Sequence, residues 1–207
     1  MRLLIGGGGG HGRVAADAAT AAGRWSDIAF LDDRYPQVLA SGVWPVVGRL
    51  DDLTRLFDQS IEFLAAVGDA HLRLDLLARA RAAGFTLPVI EHPRSAVSPH
   101  ARLAPGVVVF AGGVVNPGAE LAAGCIVNSG ATIDHDCQCA EGVHVCPGAH
   151  LAGDVSVGAR TWFGIGAVAK QGIRIGADVT VGAGAVCLRD VRDGVTVIGV
   201  PAREMQG

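Results

Sequence analysis

One short segment in the second half of the chain concentrates side chains that can move a proton. Residues 128–136 read Asn-Ser-Gly-Ala-Thr-Ile-Asp-His-Asp, so His135 stands between Asp134 and Asp136. An unperturbed histidine titrates at about 6.5. A carboxylate that holds one ring nitrogen fixes the tautomer and raises the basicity of the other nitrogen. The segment therefore predicts a general base at His135.

A second group of residues has the pattern of a phosphate-binding turn. Gly7, Gly9 and Gly12 are spaced Gly-x-Gly-x-x-Gly between an apolar run and a helical one. Such glycines let the backbone approach a diphosphate, and the N–H groups of the helix N-terminus favour its charge. Asp32 follows a second apolar run, where an acid commonly meets a ribose hydroxyl. The pattern indicates a nucleotide, but the few strands before residue 97 amount to about half of a dinucleotide fold, which argues against NAD.

A third group consists of residue types that bind metals. Four of the five cysteines lie close to His144 in sequence: Cys125, Cys137, Cys139 and Cys146. Cysteine and histidine are zinc ligands, so a metal cluster is one interpretation of this spacing. Burial is the other, because a free cysteine packs as a small hydrophobe. An odd number of cysteines fits a reducing compartment better than a disulfide framework.

The elements that position these residues follow from a repeat of six. From Val97 to Cys187 every sixth residue is nonpolar, and a small or apolar residue follows four places after each. A period of six matches neither an amphipathic helix nor an ordinary strand. It predicts a solenoid of short strands in which three units close one triangular coil, with glycine frequent at the corners.

This register favours burial of the cysteines. Cys139 and Cys187 fall on the repeated nonpolar positions, and Cys125 and Cys137 fall on the second inward position. Packing thus accounts for four of the five thiols, and we expect no metal.

The same register turns His135 outward. The inward positions around it are taken by Val127, Ala131 and Ile133. A single prism with an outward histidine lacks a complete site, so we expect a homotrimer in which a neighbouring subunit completes it.

The first 96 residues alternate between predicted strands and helices. The strands are Arg2–Ile5, Ile28–Leu31, Ile61–Val67 and Leu87–Ile90, and the helices are Val14–Ala22, Asp51–Phe57 and a helix from the N-cap Asp69 to Ala83. Such alternation predicts a parallel sheet with ligands at the carboxyl ends of the strands. We therefore expect two domains, residues 1–96 and residues 97–207.

Composition excludes several classes of protein. The 207 residues are 50% hydrophobic and 18% charged, with a mean hydropathy of +0.37, which excludes a disordered chain. No run of about 18 apolar residues occurs, so we expect no membrane insertion. A net charge of −3 argues against a general nucleic-acid binder. The N-terminus lacks the pattern of a signal peptide, and we expect a cytoplasmic protein.

Both halves of the chain resemble one family. The repeat, closed by Ile-Gly-Val-Pro-Ala-Arg at 198–203, resembles the left-handed β-helix of the hexapeptide-repeat acyltransferases. The segments Gly7–Val14, Phe30–Asp33, Val67–Asp69 and His92–Ala96 resemble the N-terminal domain of the sugar acetyltransferases. That branch includes nucleotide-linked 4-amino-sugar N-acetyltransferases and sialic acid O-acetyltransferases. The resemblance implies an α/β half-Rossmann domain followed by an all-β left-handed parallel β-helix.

The resemblance also implies roles for individual residues. The base would be His135, oriented by Asp136 in preference to Asp134. The nucleotide sugar would meet Gly9, Gly10, His11, Asp32, Asp33, Gly68, Asp69 and Asn128, and acetyl-CoA would meet His144, Gly153, Ile165, Gly166, Gly182 and Ala183. The family loop often has Ala-Ser where this chain has Gly8-Gly9, so a hydroxyl contact there is absent.

We therefore expect an acetyl-CoA-dependent N-acetyltransferase that acts on the amine, at the 4-position, of a UDP- or GDP-linked amino sugar. One alternative is an O-acetyltransferase for a sugar of the sialic acid type, in which Asp32 and Asp33 would have no nucleotide to hold. The other is a metalloenzyme similar to the γ-class carbonic anhydrases, with His135, His144 and His150 meeting across a trimer interface. That class lacks the nucleotide-type domain.

Overall fold

A computed structural model describes residues 1–205 of the chain. The chain forms two compact units, Met1–Pro93 and a second unit that begins at Arg94. No helix within the described residues is long and apolar enough to cross a membrane.

The first unit is built on a sheet of five strands. Its elements are β1 (Arg2–Gly6), α1 (Gly10–Ala22), β2 (Asp27–Leu31), β3 (Ala40–Ser41), β4 (Trp44–Gly48), β5 (Ile61–Ala65), α2 (Ala70–Ala83) and β6 (Ile90–Glu91). The sheet order is β3-β4-β2-β1-β5, parallel except for the β3–β4 hairpin. The carboxyl ends of β1, β2 and β5 therefore meet at one edge, as the predicted α/β alternation requires.

Both helices have identifiable ends. At the start of α2, the Asp69 carboxylate accepts a hydrogen bond from the Leu72 N–H at 2.8 Å, and Gly84 ends the helix in the left-handed conformation. This confirms the predicted cap and stop. Helix α1 begins at Gly10, earlier than the predicted Val14, so the last glycine of the run already belongs to the helix.

Two predicted elements of this unit are wrong. Asp51–Phe57 is not an α-helix but two short 3-10 turns, Leu50–Asp52 and Thr54–Leu56. The Asp52 carboxylate accepts from the Arg49 N–H at 2.9 Å, which closes the first turn locally. The strand predicted at Leu87–Ile90 is confined to Ile90–Glu91, since Pro88 within it has no N–H to donate.

The second unit consists of two-residue strands followed by a short C-terminal hairpin. The strands are β7 (Ala96–Val97), β8 (Arg102–Leu103), β9 (Val108–Val109), β10 (Val114–Val115), β11 (Glu120–Leu121), β12 (Ile126–Val127), β13 (Thr132–Ile133), β14 (Gln138–Cys139), β15 (His144–Val145), β16 (His150–Leu151), β17 (Ser156–Val157), β18 (Trp162–Phe163), β19 (Val168–Ala169), β20 (Arg174–Ile175), β21 (Thr180–Val181), β22 (Val186–Cys187), β23 (Thr196–Ile198) and β24 (Arg203–Glu204).

From β7 to β22, strands three apart in the chain pair in parallel, which makes three sheets, and β23 then pairs with β21. They run β7-β10-β13-β16-β19-β22, β8-β11-β14-β17-β20 and β9-β12-β15-β18-β21-β23-β24, with only the last pair antiparallel. The second residue of each strand from β9 to β22 is buried, and these are the repeated nonpolar positions of the sequence. The predicted parallel β-helix is thereby confirmed.

The corners of the coils are the positions that require unusual backbone angles. Every sixth residue from Gly106 to Gly184 has a positive φ. Ten of these fourteen positions are glycine, for which this region is unstrained. Asp136, Asp154, Arg160 and Asp178 occupy the others, with φ between 54° and 60°. Aspartate adopts a positive φ more readily than most residues with side chains. This corner can therefore carry the Asp136 carboxylate in place of a glycine.

Candidate active site

His135 and Asp136 lie together at the corner between β13 and β14. The His135 Nδ1 and the Asp136 Oδ2 are 2.9 Å apart, and both side chains are largely exposed. A carboxylate is an acceptor, so this contact selects the tautomer in which Nδ1–H donates and Nε2 carries the lone pair. The arrangement is that of a general base held by an acid.

Asp134 does a different job from Asp136. Its Oδ1 accepts from the Asn116 amide at 2.7 Å and from the backbone N–H of His135 at 2.8 Å. The Asn116 hydrogen bond is the largest of the effects that lower the pKa of the Asp134 carboxyl. Asp134 therefore holds the backbone at this corner, while Asp136 holds the imidazole.

Three carboxylates act on the His135 ring. The hydrogen bond that Nδ1–H donates to Asp136 is the main cause of a raised pKa at His135, and the charges of Asp134, Asp136 and Asp154 add to it. Gly153, one coil later, lies directly beneath the imidazole, and a Cβ on it would fall 2.5 Å from His135 Cε1. The hydrogen bond to Asp136 therefore holds the ring at Nδ1, and the absence of a side chain on Gly153 leaves room for the rest of the ring.

A second cluster joins Asn128, His144 and Trp162. The Asn128 Nδ2 lies 3.0 Å from His144 Nε2. The imidazole of His144 is buried and meets the edge of the Trp162 ring at a centroid distance of 4.4 Å. Since an amide NH₂ only donates, Nε2 of His144 is an acceptor here. His150 is instead bonded through Nδ1 to the Thr132 hydroxyl at 2.9 Å.

The residues expected to meet acetyl-CoA lie on later coils. Ile165 and Gly166 follow β18 at one corner, and Gly182 and Ala183 follow β21 at the same corner one coil on. Ile165, Gly166 and Ala183 are exposed, whereas Gly153 is buried. This corner presents two glycines, Ala183 and the apolar Ile165 side chain, which suits a ligand that binds main-chain groups and packs against an apolar surface.

In the first unit the glycine loop is open at the helix N-terminus. Gly9 is the N-cap of α1 and has no side chain to cap it. A Cβ on Gly9 or Gly10 would have no neighbour within 4 Å. The N-terminus of α1 is therefore open beside Gly9 and Gly10 and lacks a side-chain cap, which suits an anion site.

Asp32 is committed to holding this loop. Its Oδ2 accepts from the Gly8 N–H at 2.8 Å and from Arg34 Nη2 at 2.9 Å, while its Oδ1 accepts from the N–H and Nε of Arg34. The Arg34 side-chain bond is the main cause that lowers the pKa of Asp32 to about 2. A carboxylate has about four acceptor positions, so a ribose hydroxyl would have to displace Arg34. Asp33 is exposed, with its Oδ1 3.2 Å from the Leu50 N–H.

His11, Gly68 and Asp69 belong to the same edge of the sheet, because β5 lies beside β1. The buried Arg73 donates to the carbonyls of Val67 and Gly68 at 2.8 and 2.9 Å and fixes that loop. Burial, and then the Arg73 charge, lower the pKa of His11 to about 4, so this imidazole is neutral. Asp69 uses one carboxylate oxygen to cap α2.

The cysteines do not form a metal site within residues 1–205. All five are free and buried, and no group of three or more His, Cys, Asp or Glu side chains there could hold an ion. The Cys125 and Cys137 thiols donate to backbone carbonyls at 3.1 Å. Burial of the four cysteines that the repeat places inward is confirmed, and Cys146, which the repeat does not place, is buried as well.

Sequence reasoning did not single out Asn116, Trp162 or Arg34. Asn116 is 18 residues before Asp134, and Trp162 is 18 residues after His144, so both stack on their partners in adjacent coils. The period of one coil was the signal that could have found them. The contact between Arg34 and the Gly8 carbonyl joins residues 26 positions apart, in a part of the chain that has no such period.

Comparison with known proteins covers both units. Residues 2–80 match the family described as the PglD N-terminal domain. The acetyltransferase domain of PglB from Neisseria gonorrhoeae, solved with acetyl coenzyme A, is 42% identical, with a TM-score of 0.96, 99% of this chain and 98% of that one being covered. PerB from Caulobacter crescentus, solved with CoA and GDP-perosamine, is 40% identical with a TM-score of 0.91, over 100% of this chain and 98% of that one.

More distant likeness shows the fold alone. WeeI from Acinetobacter baumannii is 22% identical, with a TM-score of 0.82, over 99% of this chain and all of that one. A comparison with curated proteins finds no match. The two relatives near 40% identity span essentially the whole chain, and they confirm the resemblance that the repeat and the glycine loop indicated. The chain belongs to the family of hexapeptide-repeat nucleotide-sugar N-acetyltransferases.

Proposed function

We propose that this protein transfers the acetyl group of acetyl-CoA to the amine of a nucleotide-linked amino sugar, with His135 as the general base. The observation that carries the proposal is the exposed His135 imidazole, whose Nδ1 is 2.9 Å from the Asp136 carboxylate. The ligands of two relatives support the chemistry: acetyl coenzyme A in the PglB domain, and CoA with GDP-perosamine in PerB.

The proposed reaction is a direct transfer. Nε2 of His135 accepts a proton from the sugar amine as the amine nitrogen attacks the thioester carbonyl. The resulting tetrahedral centre collapses with formation of the amide bond and cleavage of the C–S bond, and the imidazolium returns its proton to the leaving thiolate. A backbone N–H of the coil would stabilise the oxyanion. All five cysteines are buried, and burial raises the pKa of Cys146 and Cys187, so these thiols are unsuited to a covalent intermediate.

The first unit would hold the nucleotide sugar by its diphosphate. The uncapped N-terminus of α1 offers N–H groups at Gly9 and Gly10. A neutral His11 can donate one hydrogen bond without adding charge. Asp33 is exposed and can accept from a ribose or a base, whereas Asp32 acts through the loop that it anchors. Gly68 and Asp69 would border the same ligand, and Asn128 the sugar.

Acetyl-CoA would lie along the later coils, with Gly153, Ile165, Gly166, Gly182 and Ala183 against its pantetheine and His144 near the acetyl carbonyl.

Because His135 points outward from one prism, a homotrimer would complete the site. Sedimentation of the active enzyme checks this, since an active monomer would rule out a shared site.

A substrate panel tests the proposed function. Purified protein is mixed with acetyl-CoA and with UDP- or GDP-linked 4-amino sugars, and the released CoA thiol is measured. The matched control is the same nucleotide sugar with a hydroxyl in place of the amine. Turnover of the amine alone supports N-acetylation. Turnover of a free sugar of the sialic acid type, with no nucleotide requirement, would instead identify an O-acetyltransferase and overturn the proposal.

A further inference from the structure

We infer that the missing side chain of Gly153 is a positioning element for His135: the imidazole occupies the space that a side chain at residue 153 would need. The pairing of Ile133 with Leu151 puts Gly153 in register with His135, one coil later. A Cβ built on Gly153 would lie 2.5 Å from His135 Cε1 and 3.0 Å from Cδ2, and nearer still to Nε2. Nε2 is the nitrogen that the proposed reaction uses.

The backbone itself does not require glycine at this position. Gly153 has no positive φ, unlike the corner glycines. The residue in register one coil before His135 is Pro117, and the residue one coil after Gly153 is Gln171. Both carry side chains. Space for the His135 ring is therefore the reason that the structure offers for glycine at 153.

The consequence of a side chain at 153 follows from ordinary contact distances. Carbon atoms in van der Waals contact are about 3.5–4.0 Å apart, so the ring would have to move by about 1 Å or swing away. Either movement changes the Nδ1 contact with Asp136, which is 2.9 Å in this structure. A displacement of about 1 Å at a catalytic group can cost roughly a hundredfold in rate.

The first test is Gly153→Ala, which adds one methyl group and keeps the backbone N–H. We expect kcat to fall about a hundredfold while the KM for the nucleotide sugar changes little. In ¹⁵N spectra of the free enzyme, with the His135 signal assigned by its loss in His135→Asn, we expect a lower imidazole pKa and a weaker preference for the Nδ1–H tautomer. Wild-type kcat overturns the inference, and so does a fall in kcat with an unchanged His135 titration.

The matched control is Ala159→Ser, which adds one atom in the same register at a different edge of the coil. Ala159 follows Val157 by two residues, as Gly153 follows Leu151. We expect its kcat and its His135 titration to match wild type. A loss equal to that of Gly153→Ala would show a general effect of bulk on the coil and would overturn the inference.

A stability cycle keeps the inference testable if Gly153→Ala folds poorly. In a His135→Ala background the space that the imidazole fills next to residue 153 is free, so adding Gly153→Ala should cost little further stability. If the methyl group destabilises both backgrounds equally, the clash lies elsewhere and the inference fails. Only the kinetic arm rests on the proposed function; a wild type that transfers no acetyl group would sink that function and leave the titration and the cycle valid.

Discussion

Replacing Asp32 by alanine separates two roles for this carboxylate, as an anchor of the glycine loop and as a direct contact for the nucleotide. The Gly8 N–H that it accepts from is buried. An unsatisfied buried donor costs about 1–3 kcal/mol, whereas the exposed Arg34 partner adds little. For a unit of this size each kcal/mol lowers the melting temperature by about 4–8 °C, so the first unit of Asp32→Ala should melt at least about 4 °C lower.

The loss of stability in Asp32→Ala should depend on pH. The pKa of Asp32 is lowered from 3.8 to about 2 in the folded chain. A carboxyl with a depressed folded pKa stabilises the fold above its unfolded pKa, and that stability is lost as the pH falls through the folded value. The gap in melting temperature between wild type and Asp32→Ala should therefore be full above pH 5 and narrow as the pH falls from about 4 to 2, without closing, because a protonated Asp32 still accepts from the Gly8 N–H.

Kinetics and a control complete the experiment. A loosened glycine loop should raise the KM for the nucleotide sugar and leave the KM for acetyl-CoA unchanged. Asp17→Ala, which removes an exposed carboxylate from α1, is the control and should leave both the melting temperature and the KM values near wild type. A raised nucleotide-sugar KM with an unaltered melting temperature would refute the anchoring role and indicate direct contact.

Two further predictions concern the second unit. Asp136→Asn removes the main cause of the raised His135 pKa, so the ascending limb of kcat/KM against pH should move to lower pH and the plateau should fall by less than in His135→Asn; an unmoved limb would contradict this. Burial raises the pKa of Cys146 to about 12 and of Cys187 to about 11, so no thiol should be alkylated at pH 8 in the folded protein and all five only in denaturant; rapid labelling without denaturant would show an open coil.

The six-residue period in the sequence predicts most of the structure of the second unit. Each nonpolar position predicted from Val109 to Cys187 is buried, because a strand of two residues has a single inward side chain and the corner repeats it. The same period also predicts that His135 points outward, and its side chain is exposed in the structure. Contacts between coils, such as that of Asn116 with Asp134, join residues one coil of 18 apart, and the period of six does not say which of these pairs form a hydrogen bond.

The first unit was less predictable because its decisive contacts are not periodic. Asp32 has the spacing of a ribose acceptor, but Arg34 and the Gly8 N–H fill its acceptor positions. The Ser41 hydroxyl, in the β3–β4 hairpin, donates to the Gly8 carbonyl at 2.6 Å. No pattern in the sequence predicts this hairpin. Acidic side chains near Leu50 closed short turns where the sequence favoured a helix.

The most direct test of the central claim is kcat/KM against pH for wild type and His135→Asn, with one nucleotide-linked amino sugar. The wild-type profile should rise through a single ionisation above the ordinary histidine pKa of 6.5, because Asp136 raises that pKa. His135→Asn should lose about 10²–10⁴-fold in rate, and the limb should vanish. Using one substrate keeps the titration of the sugar amine the same in both enzymes. A variant that keeps most of its rate and the same limb would contradict the account, since the amine would then arrive neutral and His135 would not be its base.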